Sequence, residues 1–405
     1  MKKGMFSVLI VVSFIALSVL ATMAAEPIKI GSLVSTTGDL AAYGPPINKG
    51  GLLAADDINA AGGILGRNIE IILRDTQTNP TAGVDAAKKL VDIDKVAGIA
   101  GALSSGVTIP VATSVSIPSK VVQISPASTS EKITTLKDND YIFRTVAMDA
   151  LQAPALAEVL FNDKGFKKIS IVYVNNDYGE GLAKGVEADF EKMGGQVTTL
   201  VPYNKQQASY RGEAQQAVKG DPQAVLMVAY PQFGSMIMRQ IIASGYKGSF
   251  AYADGMKAPE VAKNVGNQYV ENTYGTVAAN PDQKLSQWFK NHYKGKFGEM
   301  PPKPYIDTQY DAVVLMALAI AKGGAATTEA VHKNLRSVAG PPGEKINAQH
   351  LAKALKLIKE EKDIDYDGVS GSCDFDKHGD VPGSFEVWKF SGGSIKTVKY
   401  VTVGQ

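Results

Sequence analysis

The 405-residue chain has one cysteine, four histidines and two tryptophans. A single cysteine, Cys373, excludes an internal disulfide, and it reads as a small apolar core side chain rather than a redox centre. His292, His332, His350 and His378 stand at no ligand spacing and no cysteine pair accompanies them, so no metal and no cofactor is expected. Charge of one sign is lacking too. The 42 basic residues face 40 acidic ones, and Lys2 and Lys3 account for the excess. Without a basic run the chain offers nothing to nucleic acid or to an anionic membrane surface. Signatures of chemistry are also missing. GSLVSTTG follows the first strand in place of G-x-G-x-x-G, and neither G-x-x-x-x-G-K-[ST] nor a G-x-S-x-G elbow occurs. No catalytic residue is assigned, and the chain reads as a non-enzyme.

Long hydrophobic runs are limited to one. Met5–Leu20 is nearly all apolar, follows Lys2 and Lys3, and precedes the small residues of ATMAAE. This is the pattern of an export signal over residues 1–24; the apolar core is short and wrongly flanked for a membrane span. A lipoprotein anchor would need a cysteine at the cleavage site. The expectation is a periplasmic protein, soluble after signal cleavage.

What is present is a rhythm. The remaining length of roughly 380 residues is too long for one ordinary core and suggests two domains. Short β-type runs alternate with amphipathic stretches: IKIGSLVS, then a helix over Pro46–Ala61, then NIEIILRD, then Thr81–Ile93. The second series runs KKISIVYV, Tyr178–Met193, GQVTTLVPY, Ser209–Val218, AVLMVAY, Gln232–Ser244 and GSFAYAD. Strand followed by helix, repeated, predicts parallel α/β layers, which bind ligands beyond the carboxyl ends of their strands. Breaks fall near Phe143–Asp149 and Tyr274–Asn280. Two helices, Pro281–Phe297 and Tyr305–Ala321, then stand without strands between them, and Thr327–Ile364 reads as extra helices and a polar loop. SFEVWKF and IKTVKYVTV close the chain as strands.

Two stretches combine a short apolar run, a turn of small and hydroxylic residues, and a helix start: GALSSGVTIPVA at Gly101–Ala112 and VVQISPASTSEK at Val121–Lys132. A helix start presents free N–H groups and the positive end of its dipole, so two side by side would seat a carboxylate. Either one alone is equally an ordinary N-cap.

Nearly the whole mature chain resembles the periplasmic binding proteins of branched-chain amino-acid ABC transporters, the leucine/isoleucine/valine-binding type. The matching passages are IKIGSLVSTTGDLAAYG, GGLLAADDINAAGGILGRNIEIILRD, GALSSGVTIPVA, ISPAST, YIFRT, VNNDYGEGLAKG, VLMVAYPQFG and FDKHGDVPG, in that order. The resemblance implies an α/β fold of two doubly wound parallel-sheet lobes joined by a three-segment hinge (type I periplasmic binding fold). Lobe 1 would comprise 27–147 and 276–378, and lobe 2 148–275 and 379–405. It also implies a ligand-binding set. The ligand carboxylate would meet Ser105 and the Ser128–Thr129 turn; its ammonium would meet the Ala127 carbonyl, the Thr129 hydroxyl and Asp254. Tyr43, Tyr178, Tyr230 and Tyr305 would form aromatic walls. Where the family pattern has Glu, this chain has the shorter Asp254, in YADGM, which also reads as a plain turn residue. The family's disulfide positions fall on Thr78 and Ser104.

The expected function is a solute receptor that binds a small amino acid, branched-chain or otherwise aliphatic, or a related carboxylate, and hands it to an ABC permease as a monomer. Alternatives are the same fold holding an aromatic acid or a short amide or urea, a ligand sensor, and, least supported by the residues, a secreted α/β enzyme.

Overall fold

The computed structural model describes residues 25–402. The expected export signal at 1–24 lies outside the described residues. The first sheet consists of β1 (Ile28–Val34), β2 (Ile69–Asp75), β3 (Ile99–Gly101), β4 (Gln123–Ser125) and β5 (Ile142–Arg144), in the spatial order β2-β1-β3-β4-β5 with every pair parallel. The second has β6 (Lys168–Val174), β7 (Gln196–Tyr203), β8 (Ala224–Val228), β9 (Ser249–Tyr252) and β10 (Tyr274–Ala278) in the order β7-β6-β8-β9-β10, also parallel. β3 and β8 are wholly apolar or glycine and buried throughout, β4 is buried though it carries Gln123 and Ser125, and β1 is buried except at Lys29. Strands covered by helices on both faces need that composition.

Each sheet changes winding direction once, between β1 and β3 in the first and between β6 and β8 in the second. There the loops leave the carboxyl edge in opposite directions and open a crevice. The chain crosses between the lobes three times, after β5, after β10 and before β14. Main-chain bonds tie the crossings together: Arg144 N–H to Gly379 O at 3.0 Å and Ala279 N–H to Ser384 O at 2.9 Å. β14 (Ser384–Ser391) and β15 (Ser394–Thr402) then add antiparallel strands beside β10.

Local sequence places the helices. Asn79 and Asn176 cap the helices Pro80–Lys89 and Asp177–Lys192, accepting from the N–H of Ala82 and Gly179. Two expectations change. The segment 327–364 does form helices at Thr328–Ala339 and Leu351–Lys359, but its polar stretch is a strand, β11 (Glu344–Asn347). β11 pairs with β12 (Ile364–Gly368), which pairs with β13 (Gly371–Ser372). A four-residue polar strand carries no period of its own; it exists because its partner lies alongside. The second opening turn leads into only four helical residues, Glu131–Thr134, against seven at Ser105–Val111. One turn adds little dipole, so the second helix start contributes less than the expected pair of starts would.

The helix Ile306–Gly323 is the spine of the first lobe, buried along nearly its whole length and apolar on all sides. Among the described residues no single helix is long and apolar enough to cross a membrane. Its first turns carry two acids, Asp307 and Asp311, of which Asp311 is fully buried. Asp311 accepts from Tyr366 Oη (2.7 Å), Ser370 Oγ (2.5 Å) and the N–H groups of Val369 (3.1 Å) and Ser370 (2.8 Å), which fastens the small third sheet to the core. Burial, opposed by those donors, pushes its carboxyl up to about 7. A folded-state value above the ordinary carboxylate range means that its contribution is full below about pH 4 and is lost as pH rises through about 7. Urea unfolding of wild type and Asp311→Asn at pH 5 and pH 8 checks this: the variant is less stable at pH 5, and the gap narrows at pH 8. A gap that widens with pH would show the carboxylate to be held ionised.

Candidate ligand-binding cleft

Both crevices open toward each other. From the first lobe, the loop after β1 brings Leu40 and Tyr43, and the loop after β3 brings Leu103, Ser104 and Ser105. From the second, the turn after β6 brings Tyr178, the turn after β8 brings Tyr230, and the turn after β9 brings Asp254 and Gly255. Between them lies a small cavity of ≈ 30 Å³ lined by Leu40, Tyr43, Ile47, Leu103, Ser105, Ala127, Tyr178, Tyr230, Asp254, Gly255 and Tyr305. Larger hollows exist near the hinge, but they lack this convergence of buried polar groups on an apolar wall.

Asp254 is 3% exposed. Tyr178 Oη donates to its Oδ1 at 2.7 Å and Tyr305 Oη to its Oδ2 at 2.5 Å. Burial raises its pKa and these two hydroxyls oppose the rise. Burial and the nearby Asp254 charge hold Tyr43, Tyr178 and Tyr305 well above their ordinary values, and burial does the same to Tyr230, so all four stay neutral hydrogen-bond donors. Tyr305 stands just before the spine helix with φ of +70°, a left-handed backbone that a bulky side chain adopts at a cost of roughly 1–3 kcal/mol. Tyr178 and Tyr230 stack with ring centroids 5.7 Å apart. Gly255 fits beside them because it has no side chain; a Cβ there would lie 2.5 Å from Ala229 O and 3.1 Å from Tyr178 Oη.

The nine residues expected from sequence divide as follows. Tyr43, Ser105, Ala127, Tyr178, Tyr230, Asp254 and Tyr305 line the cavity. Ser128 does not: its hydroxyl is engaged by Thr108 Oγ1 at 2.7 Å and Ala102 O at 3.3 Å. Thr129 lies just behind the wall, buried, with a hydroxyl that has no partner among the described residues. Leu40, Ile47 and Leu103 were not anticipated, because an aliphatic residue in a helical or loop pattern looks the same whether it meets core or ligand. Thr78 and Ser104 bond elsewhere: Thr78 Oγ1 accepts from Leu40 N–H at 3.1 Å, and Ser104 Oγ lies 3.1 Å from Tyr230 Oη.

The lobes touch around the cavity. Tyr43 Oη donates to Gly255 O at 2.8 Å, and three lysines bridge the rim. Lys205 reaches Thr78 O (2.7 Å) and Asp39 (3.5 Å), Lys303 reaches Glu260 and Ala42 O (2.6 and 2.7 Å), and Lys132 reaches Asp177 (2.7 Å).

Two lobes closed on a buried, mostly apolar pocket with a few fixed polar groups define a ligand-binding protein of the hinged-cleft class. The family model described as periplasmic binding protein matches residues 27–350, and the chain belongs to that family. It is 29% identical over 349 residues to the leucine-, isoleucine-, valine-, threonine-, and alanine-binding protein of Pseudomonas aeruginosa, covering 83% of this chain and 90% of that one. It is 27% identical over 360 residues to the chemotactic signal transduction system substrate-binding protein BasB of Halobacterium salinarum, covering 87% and 84%. In fold it is similar to the crystal structure of a leucine-binding protein, LivK, of Thermotoga maritima, with a TM-score of 0.78, 24% identity, and coverage of 93% and 99%. These relatives are binding proteins, and the fold is the two-lobed parallel α/β architecture expected.

The rim lysines give a direct test of what holds the lobes together. Both ion pairs, Lys205 with Asp39 and Lys303 with Glu260, are only partly exposed, and salt can still screen them. Replacing Lys205 and Lys303 together by alanine is expected to raise the radius of gyration in small-angle scattering without added ligand, and high salt to shift wild type the same way. Superimposable curves would assign closure to the tyrosine contacts alone.

Proposed function

We propose that this protein is the periplasmic solute-binding component of an ABC importer, taking a small aliphatic amino acid into the interlobe cleft and delivering it to the permease. The observation that carries the reading is the buried carboxylate of Asp254 at one end of a cavity that no lysine or arginine lines. A buried anion without a cationic neighbour suits a ligand that brings its own positive charge. Ser105, also on the lining, would take the ligand's carboxylate, and Leu40, Ile47 and Leu103 would give an aliphatic side chain a dry wall. The Pseudomonas relative, named as a binder of leucine, isoleucine, valine, threonine and alanine, points to the same ligand class. Micromolar affinity needs about 8 kcal/mol, which a few charge-assisted hydrogen bonds of roughly 1.5–3 kcal/mol each supply together with burial of the side chain.

Plain aromatic acids fit less well, since their one charge repeats that of Asp254. The name of the Halobacterium relative favours a second reading, in which the loaded protein is presented to a chemotactic receptor rather than a permease. Loss of uptake of the bound amino acid in a strain lacking this protein supports the importer; loss of taxis with uptake intact supports the sensor.

A thermal-shift panel of amino acids, aromatic acids, short amides and urea, followed by calorimetry, tests the ligand class. Aliphatic L-amino acids should raise the melting temperature and their amine-free counterparts should not. Asp254→Ala is expected to cost on the order of 3–5 kcal/mol of binding, because the ammonium is then buried without its counter-charge. Unchanged affinity in that variant would remove Asp254 from the site.

A further inference from the structure

We propose that the buried pair Arg144 and Asp380 positions the turn Ala127–Ser130 and makes the cleft's grip on its ligand depend on the hinge. The inference rests on the amino-acid reading above and deepens it with residues that do not line the cavity. Arg144 ends β5, where the first crossing begins, and Asp380 lies in the third crossing; they are 0% and 3% exposed. Arg144 Nε donates to Asp380 Oδ1 at 2.6 Å, and Arg144 N–H donates to Gly379 O at 3.0 Å. The rest of the guanidinium faces the turn. Nη1 donates to Ser130 O at 2.9 Å and more weakly to Ser128 O at 3.4 Å, and Nη2 donates to Thr134 Oγ1 at 2.6 Å. The Thr134 hydroxyl donates in turn to Asp380 Oδ2 at 2.7 Å, which closes a ring of side chains.

A buried ion pair by itself gains little over apolar packing, because desolvation offsets the attraction. This one does what apolar side chains cannot: its planar fork bonds a carboxylate, a hydroxyl and main-chain carbonyls at fixed angles. Those carbonyls belong to the residues on either side of Thr129, and the turn they hold reaches the cleft directly. Ala127, just before Ser128, lines the cavity. Ser130 N–H donates to Oγ of cavity-lining Ser105 at 3.3 Å, which occupies an acceptor site of that hydroxyl and leaves its O–H free to donate. Ser130 Oγ donates across the cleft to Asp177 O at 3.0 Å, and Lys132 reaches the Asp177 carboxylate at 2.7 Å. Asp177 starts the helix whose next residue, Tyr178, lines the cavity from the other lobe. A rotation of the third crossing therefore pulls on Asp380, Arg144 and the turn together, and a ligand that fixes the turn resists that rotation.

Calorimetry and stopped-flow kinetics with L-leucine and L-valine, together with amide hydrogen exchange, test this. Arg144→Lys keeps a charge for Asp380 and loses the fork; Thr134→Val keeps the ion pair and breaks the ring. Each is expected to weaken binding by at least ~10-fold, mostly through faster release. Asp311→Asn, which loosens the same lobe away from the cleft, should bind as wild type does, so a loss of stability alone does not imitate the effect. Exchange reads the coupling itself: ligand should slow exchange at residues 376–384 in wild type and not in Thr134→Val. Wild-type affinity in Arg144→Lys and Thr134→Val overturns the proposal and leaves the pair a brace of the fold; if Arg144→Lys does not fold, Thr134→Val decides alone. Without ligand, Asp380→Asn is expected to speed exchange at residues 128–133, and unchanged exchange there overturns the inference whatever the ligand. Failure of wild type to bind any amino acid, with that exchange response intact, overturns the amino-acid reading and not the link between hinge and turn.

Discussion

A carboxylate can stay in a dry protein interior only if donors come to it, and Asp254 receives its donors from both halves of the molecule. Tyr178 belongs to the second lobe and Tyr305 stands at the head of the first lobe's spine helix. Burying Asp254 therefore requires the lobes to be together. Separating them strips away one hydroxyl and lets water in. The strained backbone of Tyr305 is consistent with that demand, since a relaxed residue at the head of the helix would aim its ring elsewhere.

The parallel sheets make that meeting possible. Each lobe reverses its winding once, and the loops at the reversal point outward along the strand axis. Two such edges facing each other put short, separate loops from each lobe around one small volume. The three crossings hold the sheets in that attitude and leave the rim to rotate. Leu103, Ala127, Tyr230 and Asp254 each stand two residues beyond a strand end, where packing of the strand leaves little freedom. The rim lysines make the adjustable contacts: Lys205 and Lys303 come from connections, and Lys132 from the short helix Glu131–Thr134.

Within this frame the site departs from a simple pair of helix starts. The second opening turn has too little helix behind it to act through a dipole, and Ser128 uses its hydroxyl to brace the first turn against the second. The polar groups at the cavity are instead side-chain hydroxyls and the Asp254 carboxylate. Arg144, itself fully buried, ties the Ser128–Ser130 turn to the third crossing through Asp380. The ligand-facing turn and the hinge are thus one connected structure.

Strand-and-helix alternation, the export-type leader pattern and the lack of metal or nucleotide motifs were all legible in the residues, because each depends on local composition and spacing. The two-lobed arrangement and the tyrosine and aspartate positions followed from ordered family motifs rather than from any one of them. Other features had no local signal. The polar strand Glu344–Asn347 depends on a partner some twenty residues away, and the aliphatic wall of Leu40, Ile47 and Leu103 is indistinguishable in sequence from core. The burial of the Asp149 carboxyl beside the Thr129 hydroxyl is a fact about neighbours. Sequence by itself determined which segments form strands and helices and that the chain carries groups for holding a molecule. Only the tertiary structure decided which oxygens are satisfied and which are left facing one another, because hydrogen-bond partners here come from residues tens to hundreds of positions apart.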